Sequence, residues 1–393
     1  MKILHIAPTP FFADRGCHMR ILGEMKALIK RGHEITLCTY HNGRDIEGIK
    51  TLRNIRIPWY NKLEAGPSWH KIYIDLLLLL KSILVFLKEK PDLIHGHLHE
   101  GALIAGIIKF LFFWKKTPVV FDVQGSMTFE LDSYAYYTGL KKLIRPIFFI
   151  AEKTINILPD FFVCSSVSNR DLMVNKFNIP QHKCEAIIDG VHTGFFQNVK
   201  DANKIKKNFN LDNSSKIVIF TGALLKSKGI DVLFNAIPHI IKKVPDAIFF
   251  IVGYPTKEWK DYAIKENLQK HVRFSGKVDY FDLPSYLNIT RIAVDPKIDA
   301  AGESSGKIIN YMGAGQCVVC FDSKNNRKFL NEGGIYAENG NIKDLAENII
   351  YALNNPKAVK EKGIINKKRV EELFSWNAGG EKIENIYKKL LKK

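Results

Sequence analysis

The sequence lacks the features that mark secreted, membrane-spanning and disulfide-stabilised proteins. Its 393 residues include six cysteines, scattered singly apart from Cys317 and Cys320. Those two lie in an apolar run typical of a buried strand, so neither a redox pair nor a zinc site is expected.

The longest apolar segments, 76–87 and 101–114, are each interrupted by a lysine and are shorter than the roughly 20 residues that span a bilayer. They predict core helices, or surfaces that touch a membrane without crossing it. Residues 1–8 lack the n-region and h-region of a signal peptide, which favours a reducing, cytoplasmic location.

Acidic side chains are also scarce relative to basic ones. The chain has 40 Asp and Glu against 58 Lys and Arg, a net charge of +18. This excess indicates an anionic partner, unless it is lysine solvated on helix faces. No recognition motif accompanies the charge, so we expect no nucleic-acid partner. Basic residues border the apolar stretches 110–116 and 141–150, which predicts contact with an anionic membrane surface or, alternatively, two ordinary core helices.

Short apolar runs alternate with helical patterns along the whole chain, as in parallel sheets covered by helices on both faces. A polar, lysine-rich stretch at 195–213 separates two sets of these runs and is expected to be a linker. The prediction is an α/β protein with two Rossmann-like domains, 1–195 and 196–374. Strands are predicted near 2–7, 34–40, 92–95, 118–122, 161–165, 185–188, 216–221, 247–252, 272–274, 291–295 and 317–321.

Two loops in the second half have the composition of a phosphate site. The apolar run 217–220 leads into Gly222-Ala223-Leu224-Leu225-Lys226-Ser227-Lys228-Gly229 and then into a helical pattern. Backbone amides and the helix dipole at such a junction favour an anion. The second loop, 303–315, places Lys307 ahead of another short helix and suits a second phosphate or a sugar. Together the two loops predict a diphosphate pocket.

These loops resemble those of glycosyltransferase family 4, which comprises retaining, nucleotide-sugar-dependent enzymes of GT-B fold, with two Rossmann-like domains facing across a cleft. The family's first loop reads G-R-L-x-x-x-K-G, and Lys228 matches its lysine while Ala223 stands at its arginine. A later family segment carries two glutamates, for the donor sugar and the ribose. Glu303 lies one position after the first of them, and Asn310 stands at the second.

The resemblance implies a division of labour between the two domains. The first domain would bind the acceptor, with a returning C-terminal helix at 375–393 packed on it, and the second would bind the donor. Lys307 matches a lysine found in part of the family and would replace the charge of the missing arginine. The turns at 253–255 and 276–278 are expected to hold the nucleotide base. The implied donor contacts are Arg15, Gly16, Gly222, Lys228, Gly229, Gly253, Val278, Ser304, Ser305, Gly306, Lys307 and Asn310.

A run of three alternate histidines ends the predicted strand at 92–95. His95, His97 and His99 suggest a metal site at first sight, but zinc ligands usually come from more than one segment and only Glu100 adds a carboxylate. No metal is therefore expected. The family has a comparable H-x-H that lines the acceptor cleft, so the resemblance implies that His97, His99 and Glu100 contact the acceptor. Core packing is the alternative for His95.

The implied catalytic residues are Lys228, Gln124 and Glu303. Gln124 cannot act as a base at neutral pH, yet it can hydrogen-bond a sugar hydroxyl. In the mechanism usual for the family the departing diphosphate takes the proton, so catalysis would depend on positioning and on cations. No Asp-x-Asp motif is present, so metal independence is expected, and no cofactor besides the donor.

The expected activity is transfer of a hexose-type sugar from a nucleotide diphosphate to a hydroxyl of a lipid-linked or polysaccharide acceptor, in cell-envelope polysaccharide synthesis. The expected location is the cytoplasm, with a peripheral position on the inner face of the membrane. The alternative is a catalytically impaired nucleotide-sugar-binding protein of the same fold, because Ala223, Gln124 and Asn310 stand at three positions where the family has other polar residues. The residues favour no particular base, sugar or linkage.

Overall fold

The computed structural model describes residues 1–63, 66, 68–133, 136–192, 194–211, 216–298 and 306–392. The chain divides into two compact units. The first contains Met1–Asp189 and Trp376–Lys393, and the second contains Gly190–Ser375. The sequence placed the domain boundary after residue 195, whereas the compact units divide after Asp189.

The first unit is built on a seven-stranded parallel sheet with the order β3-β2-β1-β4-β5-β6-β7. Most of these strands are buried along their length, which explains their continuous apolar runs. The edge strand β3 was missed because its sequence, KTLR, has one large apolar residue. The strands are β1 Lys2–Ala7, β2 Glu34–Thr39, β3 Lys50–Arg53, β4 Leu93–His97, β5 Val119–Val123, β6 Phe161–Cys164 and β7 Cys184–Ala186. The helices are α1 Gly16–Lys30, α2 Lys71–Glu89, α3 Leu98–Leu111, α4 Met127–Ser133, α5 Arg145–Ile155 and α6 Val167–Lys176.

The second unit has a six-stranded sheet with the order β10-β9-β8-β11-β12-β13. All of its pairings are parallel. The short edge strand β13, with the sequence GIYA, was also missed. The helices are α7 Ala202–Asn208, α8 Ile230–Lys243, α9 Lys257–Lys265, α10 Leu283–Leu287, α11 Gly306–Gly313, α12 Lys324–Leu330, α13 Ile342–Asn354 and α14 Pro356–Leu373. The strands are β8 Lys216–Thr221, β9 Ala247–Val252, β10 Val272–Gly276, β11 Ile292–Asp295, β12 Cys317–Phe321 and β13 Gly334–Ala337.

The last helix, α15 (Trp376–Leu391), belongs to the first unit and packs against α1. Glycines allow this close approach. A Cβ on Gly23 would lie 2.1 Å from the Trp376 ring, and one on Gly380 would lie 2.7 Å from the Cβ of Ala27. The packing of α15 on α1 therefore depends on small residues in both helices.

Each sheet has one point where the direction of strand addition reverses. It lies between β1 and β4 in the first unit and between β8 and β11 in the second. In α/β sheets ligands bind at the carboxyl ends of the strands at such a point. The prediction of two Rossmann-like parallel-sheet domains is confirmed. Among the helices described, none is both long and apolar enough to cross a membrane.

Candidate functional site

The loop after β8 places a lysine at the start of α8. Gly222 and Gly229 have φ of 127° and 79°, values that favour glycine, and a 3-10 turn at Lys226–Lys228 lies between them. A Cβ on Gly229 would lie 2.1 Å from the carbonyl oxygen of Pro296, so any larger residue would push the loops apart. The N-cap of α8 has no side-chain hydrogen bond. The first amides of a helix have no partner within it, and here they lie beside Lys228.

A second glycine turn packs directly on this loop. Gly253, after β9, has φ of 158°, and a Cβ there would lie 1.8 Å from the carbonyl oxygen of Gly222. The amide of Leu224 donates to the carbonyl of Tyr254 at 2.9 Å. The ammonium of Lys277, in the turn after β10, lies 5.6 Å from the centre of the Tyr254 ring, and the next residue, Val278, is half-buried. The structure thus brings the proposed base-binding turns next to the proposed phosphate loop.

Lys307 contacts both strands that flank the reversal point of the second sheet, β8 and β11. Its Nζ lies 3.0 Å from Oδ1 of the buried Asp295 at the end of β11. The same Nζ donates to the carbonyl of Lys228 at 3.4 Å and lies 4.3 Å from the Phe220 ring centre. Sequence reasoning missed Asp295, although an aspartate closing an apolar strand was visible. Asp295 therefore balances much of the charge of Lys307.

Helix α11 is fixed to β8 by Tyr311. The buried Tyr311 hydroxyl accepts a hydrogen bond from the amide of Thr221 at 2.8 Å. Asn310 precedes it and is half-buried, while Gly306 begins the helix and is exposed. The implied contacts Glu303, Ser304 and Ser305 lie outside the described residues.

The first unit contains a buried ionic network at the carboxyl ends of its strands. Arg20 is 1% exposed. Its Nε donates to Asp122 Oδ1 at 2.7 Å and its Nη1 to Asp189 Oδ1 at 2.7 Å, and its Nη2 lies 2.9 Å from Glu24 Oε1. Gln124 Nε2 donates to Asp122 Oδ2 at 2.7 Å. Asp122 is therefore the group that orients the amide of Gln124.

Burial and charge act in opposite directions on these carboxylates. Burial opposes ionisation of Asp122, but Arg20 and His97 hold its pKa below the ordinary value. Burial and the nearby Asp122 raise the pKa of Glu24 well above the usual range. One guanidinium faces three carboxylates, and Glu24 takes up a proton most readily. Sequence reasoning missed Arg20, although an arginine inside the apolar pattern of a helix was a visible signal.

The histidines of the H-x-H run are inside the unit rather than on its surface. His97 is buried, with Nδ1 2.9 Å from Asp122 Oδ2 and Nε2 2.8 Å from His5 Nδ1. His95 Nδ1 is 2.5 Å from the Tyr387 hydroxyl. His99 is also buried and lies 3.2 Å from Glu152, while Glu100 is half-buried and paired with Lys71. Acceptor contact by His97, His99 and Glu100 remains a prediction.

Two groups of buried residues in the described part of the chain could hold a metal ion. One consists of His5, His95 and His97, and the other of Glu24, His97 and Asp122; within each group the ligand atoms lie within 4.8 Å of one another. In the second group the Arg20 guanidinium already bonds both carboxylates. Burial, with the other two imidazoles, lowers the pKa of His5. We assign the residues to the hydrogen-bonded network of the core.

The loop between β1 and α1 is organised by His18, another residue that sequence reasoning missed. The amide of Ala13 donates to His18 Nδ1 at 2.9 Å, so Nε2 carries the proton and donates to Thr9 Oγ1 at 2.7 Å. Burial, and then Arg15, lowers the pKa of His18 to about 3. Arg15 is half-buried, and a Cβ on the exposed Gly16 would have no atom within 4 Å. The backbone of Gly16 therefore has space beside it on the side where a Cβ would lie.

Named glycosyltransferases are similar in sequence to this chain over most of its length. It is 26% identical to the phosphatidyl-myo-inositol mannosyltransferase of Mycobacterium tuberculosis, over 98% of this chain and 96% of the relative. It is 24% identical to the capsular polysaccharide biosynthesis glycosyltransferase CapM of Staphylococcus aureus, over 82% of this chain and 83% of the relative. The crystal structure of Anabaena HepE in complex with UDP-glucose superposes with a TM-score of 0.75 at 14% identity, covering 99% of this chain and 100% of that one.

Two family descriptions match consecutive parts of the chain. Glycosyltransferase Family 4 matches residues 16–195, and Glycosyl transferases group 1 matches residues 201–369. The first match corresponds to the unit with the buried histidines, and the second to the unit with the two glycine loops. This chain belongs to glycosyltransferase family 4 and has the GT-B fold.

Proposed function

We propose that this protein is a retaining, metal-independent hexosyltransferase that uses a nucleotide-diphosphate sugar and a lipid-linked or polysaccharide acceptor. The observation that carries the proposal is the junction of β8 and α8. Lys228, Gly229 and the uncapped N-terminus of α8 converge there at the reversal point of the sheet. That arrangement matches the needs of a diphosphate.

The donor diphosphate binds at this junction. Its charge is neutralised by Lys228 and by the first amides of α8, whose dipole contributes about 0.3 to 1 kcal/mol per charge. Lys307 holds the loop through the Lys228 carbonyl and adds positive charge that Asp295 shares. The base packs against the turns at Gly253 and Val278. The UDP-glucose complex of HepE supports a nucleotide sugar as donor.

Transfer proceeds with retention and without a protein base. The acceptor oxygen attacks the anomeric carbon from the side of the leaving group, the bond from that carbon to the diphosphate oxygen breaks, and the acceptor proton passes to the departing diphosphate. Lys228 and the α8 amides stabilise the negative charge that develops there. Since Gln124 donates its NH₂ to Asp122, its carbonyl oxygen is left to accept from a sugar hydroxyl. Glu303 supplies a carboxylate near the donor sugar, as the family resemblance implies.

The acceptor belongs to the cell envelope, and the first unit meets an anionic membrane on its cytoplasmic face. The names of the mannosyltransferase and of CapM support a lipid or capsular acceptor. The two basic-bordered segments both expose large apolar side chains, among them Phe110, Phe113 and Trp114 in one and Ile147 and Ile150 in the other. These exposures support membrane contact over the alternative of two core helices.

The alternative is binding of a nucleotide sugar without transfer. It is favoured by Ala223, which supplies no charge at the family's arginine position, and by the pairing of Lys307 with Asp295. Both lower the positive charge available to a leaving group. Binding and turnover must therefore be measured separately.

The test is a thermal-unfolding screen with UDP, GDP, ADP and their common hexose conjugates, followed by sugar release from each stabilising donor. A ligand present at 100 times its Kd stabilises the folded protein by about 2.7 kcal/mol. We expect one nucleotide series to stabilise the protein and its sugar to be transferred to an acceptor in envelope extract with the anomeric configuration that it had in the donor. Stabilisation without any sugar release in the presence of envelope extract would favour the binding protein. No stabilisation by any nucleotide would refute the proposed donor site.

A further inference from the structure

Helix α2 carries an uninterrupted apolar stripe on its outer face. Its members recur every three or four residues, which places them on one side of the helix. They are 44% to 78% exposed. The outer face of a helix in a soluble domain is normally polar. The stripe consists of Ile72, Leu76, Leu80, Leu84 and Leu87.

The opposite face of α2 is a normal core face. Ile74, Leu78, Val85 and Phe86 are buried against the first sheet. The helix is therefore seated on the unit by one apolar face while it presents a second one outward. Packing within the first unit explains why the inner face of α2 is apolar. It does not explain why the outer face is apolar as well.

Aromatic clusters lie at both ends of the stripe. Near its start, Trp59 and Trp69 are 73% and 70% exposed. The Trp59 Nε1 donates to the Tyr73 hydroxyl at 3.1 Å, and the Trp69 ring centre is 5.9 Å from that of Tyr73. Beyond its end, Trp114 is 61% exposed and is linked to α2 through Phe112, whose ring is 5.6 Å from Trp114 and 5.3 Å from Phe86. Tryptophan and tyrosine prefer the boundary between lipid and water.

The charges around the stripe complement an anionic surface. Lys88 and Lys116 are exposed, and the Lys115 ammonium lies 5.9 Å from the Phe86 ring centre. The acidic residues of α2 are engaged elsewhere: Asp75 accepts from the Tyr40 hydroxyl at 2.5 Å, and Glu89 accepts from Lys50 at 2.8 Å. Positive charge therefore dominates beside the apolar face.

We propose that α2 lies in the plane of an anionic membrane, with its leucine stripe among the acyl chains and Trp59, Trp69 and Trp114 at the headgroup level. This membrane face, which rests on the proposed function, is the surface through which the enzyme meets a membrane-bound acceptor. An apolar face with flanking lysines and aromatic ends is the pattern of an interfacial helix. A lipid surface accounts for the lysines and tryptophans together with the leucines, whereas a second copy of this chain would bring a further positive charge against them.

The test compares two matched variants of the full chain. One is Leu80→Gln with Leu84→Gln, and the control is Ile364→Gln with Leu373→Gln in α14 of the second unit, where the side chains are similarly exposed (52% and 66% against 60% and 55%). Vesicles of phosphatidylcholine with phosphatidylglycerol are used at low and high salt. We expect the α2 variant to lose about 100-fold in partitioning, at about tenfold for each leucine, and the control to behave as the wild type.

Depth is read by quenching of tryptophan fluorescence with lipids brominated along the acyl chain. The three tryptophans near α2 are exposed while Trp259 and Trp376 are buried, so quenching in wild type and control, and its loss in the α2 variant, would support the inference. Equal partitioning of all three proteins would overturn it. So would a concentration-dependent dimer that the α2 variant abolishes, because the stripe would then face a second copy. Nucleotide stabilisation should be unchanged in both variants, so failure of the donor site and failure of the membrane face give different results.

Discussion

Replacing Arg20 by methionine should destabilise the first unit while leaving the second unit unchanged. Methionine has similar length and keeps the apolar packing of the side chain, but it removes the guanidinium that lies between Asp122, Asp189 and Glu24. Asp122 and Glu24 are fully buried. Without Arg20 they must either stay charged in a poorly solvating interior or take up protons.

The size of the loss follows from this geometry. Breaking a buried ion pair by removing one partner costs about 3 to 5 kcal/mol, because an unbalanced charge stays buried. Asp122 keeps its hydrogen bonds from His97 and Gln124, which places the expected loss nearer the lower value. Arg20→Lys keeps the charge but loses the fork that reaches several partners, so its loss should be smaller.

Native-state hydrogen exchange measures the two units separately. Amides of β4 and β5 should exchange about 100 to 1,000 times faster in Arg20→Met, since about 1.4 kcal/mol corresponds to one factor of ten. Amides of β8 and β9 serve as the internal reference. The matched control is Arg31→Met, whose ion pair with Glu384 lies partly exposed and should be worth at most about 1 kcal/mol. Less than a tenfold change in β4 and β5 for Arg20→Met would show that Arg20 does not stabilise the first unit through these ion pairs.

Three further results are expected. Asn310→Ala should raise the donor KM more than it lowers kcat, since a ribose contact made equally in the ground and transition states affects binding alone; an unchanged KM would show that Asn310 makes no such contact. EDTA should leave sugar transfer unaffected, and loss of activity restored by Mg²⁺ would contradict metal independence. The pKa of His18 is about 3 when folded against 6.5 as its ordinary value, so the unfolded state binds the extra proton and stability falls as the pH drops below 6.5. His18→Asn should remove about 1.4 kcal/mol per pH unit of that dependence near pH 5, measured as the difference between the urea-unfolding curves of variant and wild type at pH 7 and pH 5; equal pH slopes would contradict it.

The strands were predictable because a strand of a parallel sheet is buried on both faces and leaves a continuous apolar run. β8, with the sequence KIVIFT, and β9, with AIFFIV, are clear cases. The edge strands β3 and β13 have four residues each and pair along one side only, so they leave no such run. Where an edge strand forms depends on the strand that it pairs with, and a single sequence does not show which segments pair.

The site was predictable where local geometry dictates the residue type. Gly222 and Gly229 occupy backbone conformations that exclude most side chains, so the loop shows in the sequence. Arg20 and Asp122 are about a hundred positions apart, and the pairing of Lys307 with Asp295 depends on two adjacent strand ends. A single sequence shows that such residues are charged but not that they meet. The apolar segment at 76–87 predicted a core helix or a surface that touches a membrane, but not that Leu76, Leu80, Leu84 and Leu87 are the four of its seven leucines that face outward.

Binding of the donor diphosphate at the turn before α8 is tested most directly by the affinity of Lys228→Ala for the stabilising nucleoside diphosphate, measured by calorimetry beside Lys226→Ala. The two lysines share one 3-10 turn, and Lys226 is exposed while Lys228 is half-buried next to the α8 N-terminus. Loss of a charge-assisted contact costs about 1.5 to 3 kcal/mol, so binding should weaken roughly 10- to 100-fold in Lys228→Ala, with transfer abolished, and stay near wild type in Lys226→Ala. Equal affinities and equal turnover in the two variants would contradict the assignment of the diphosphate to this turn.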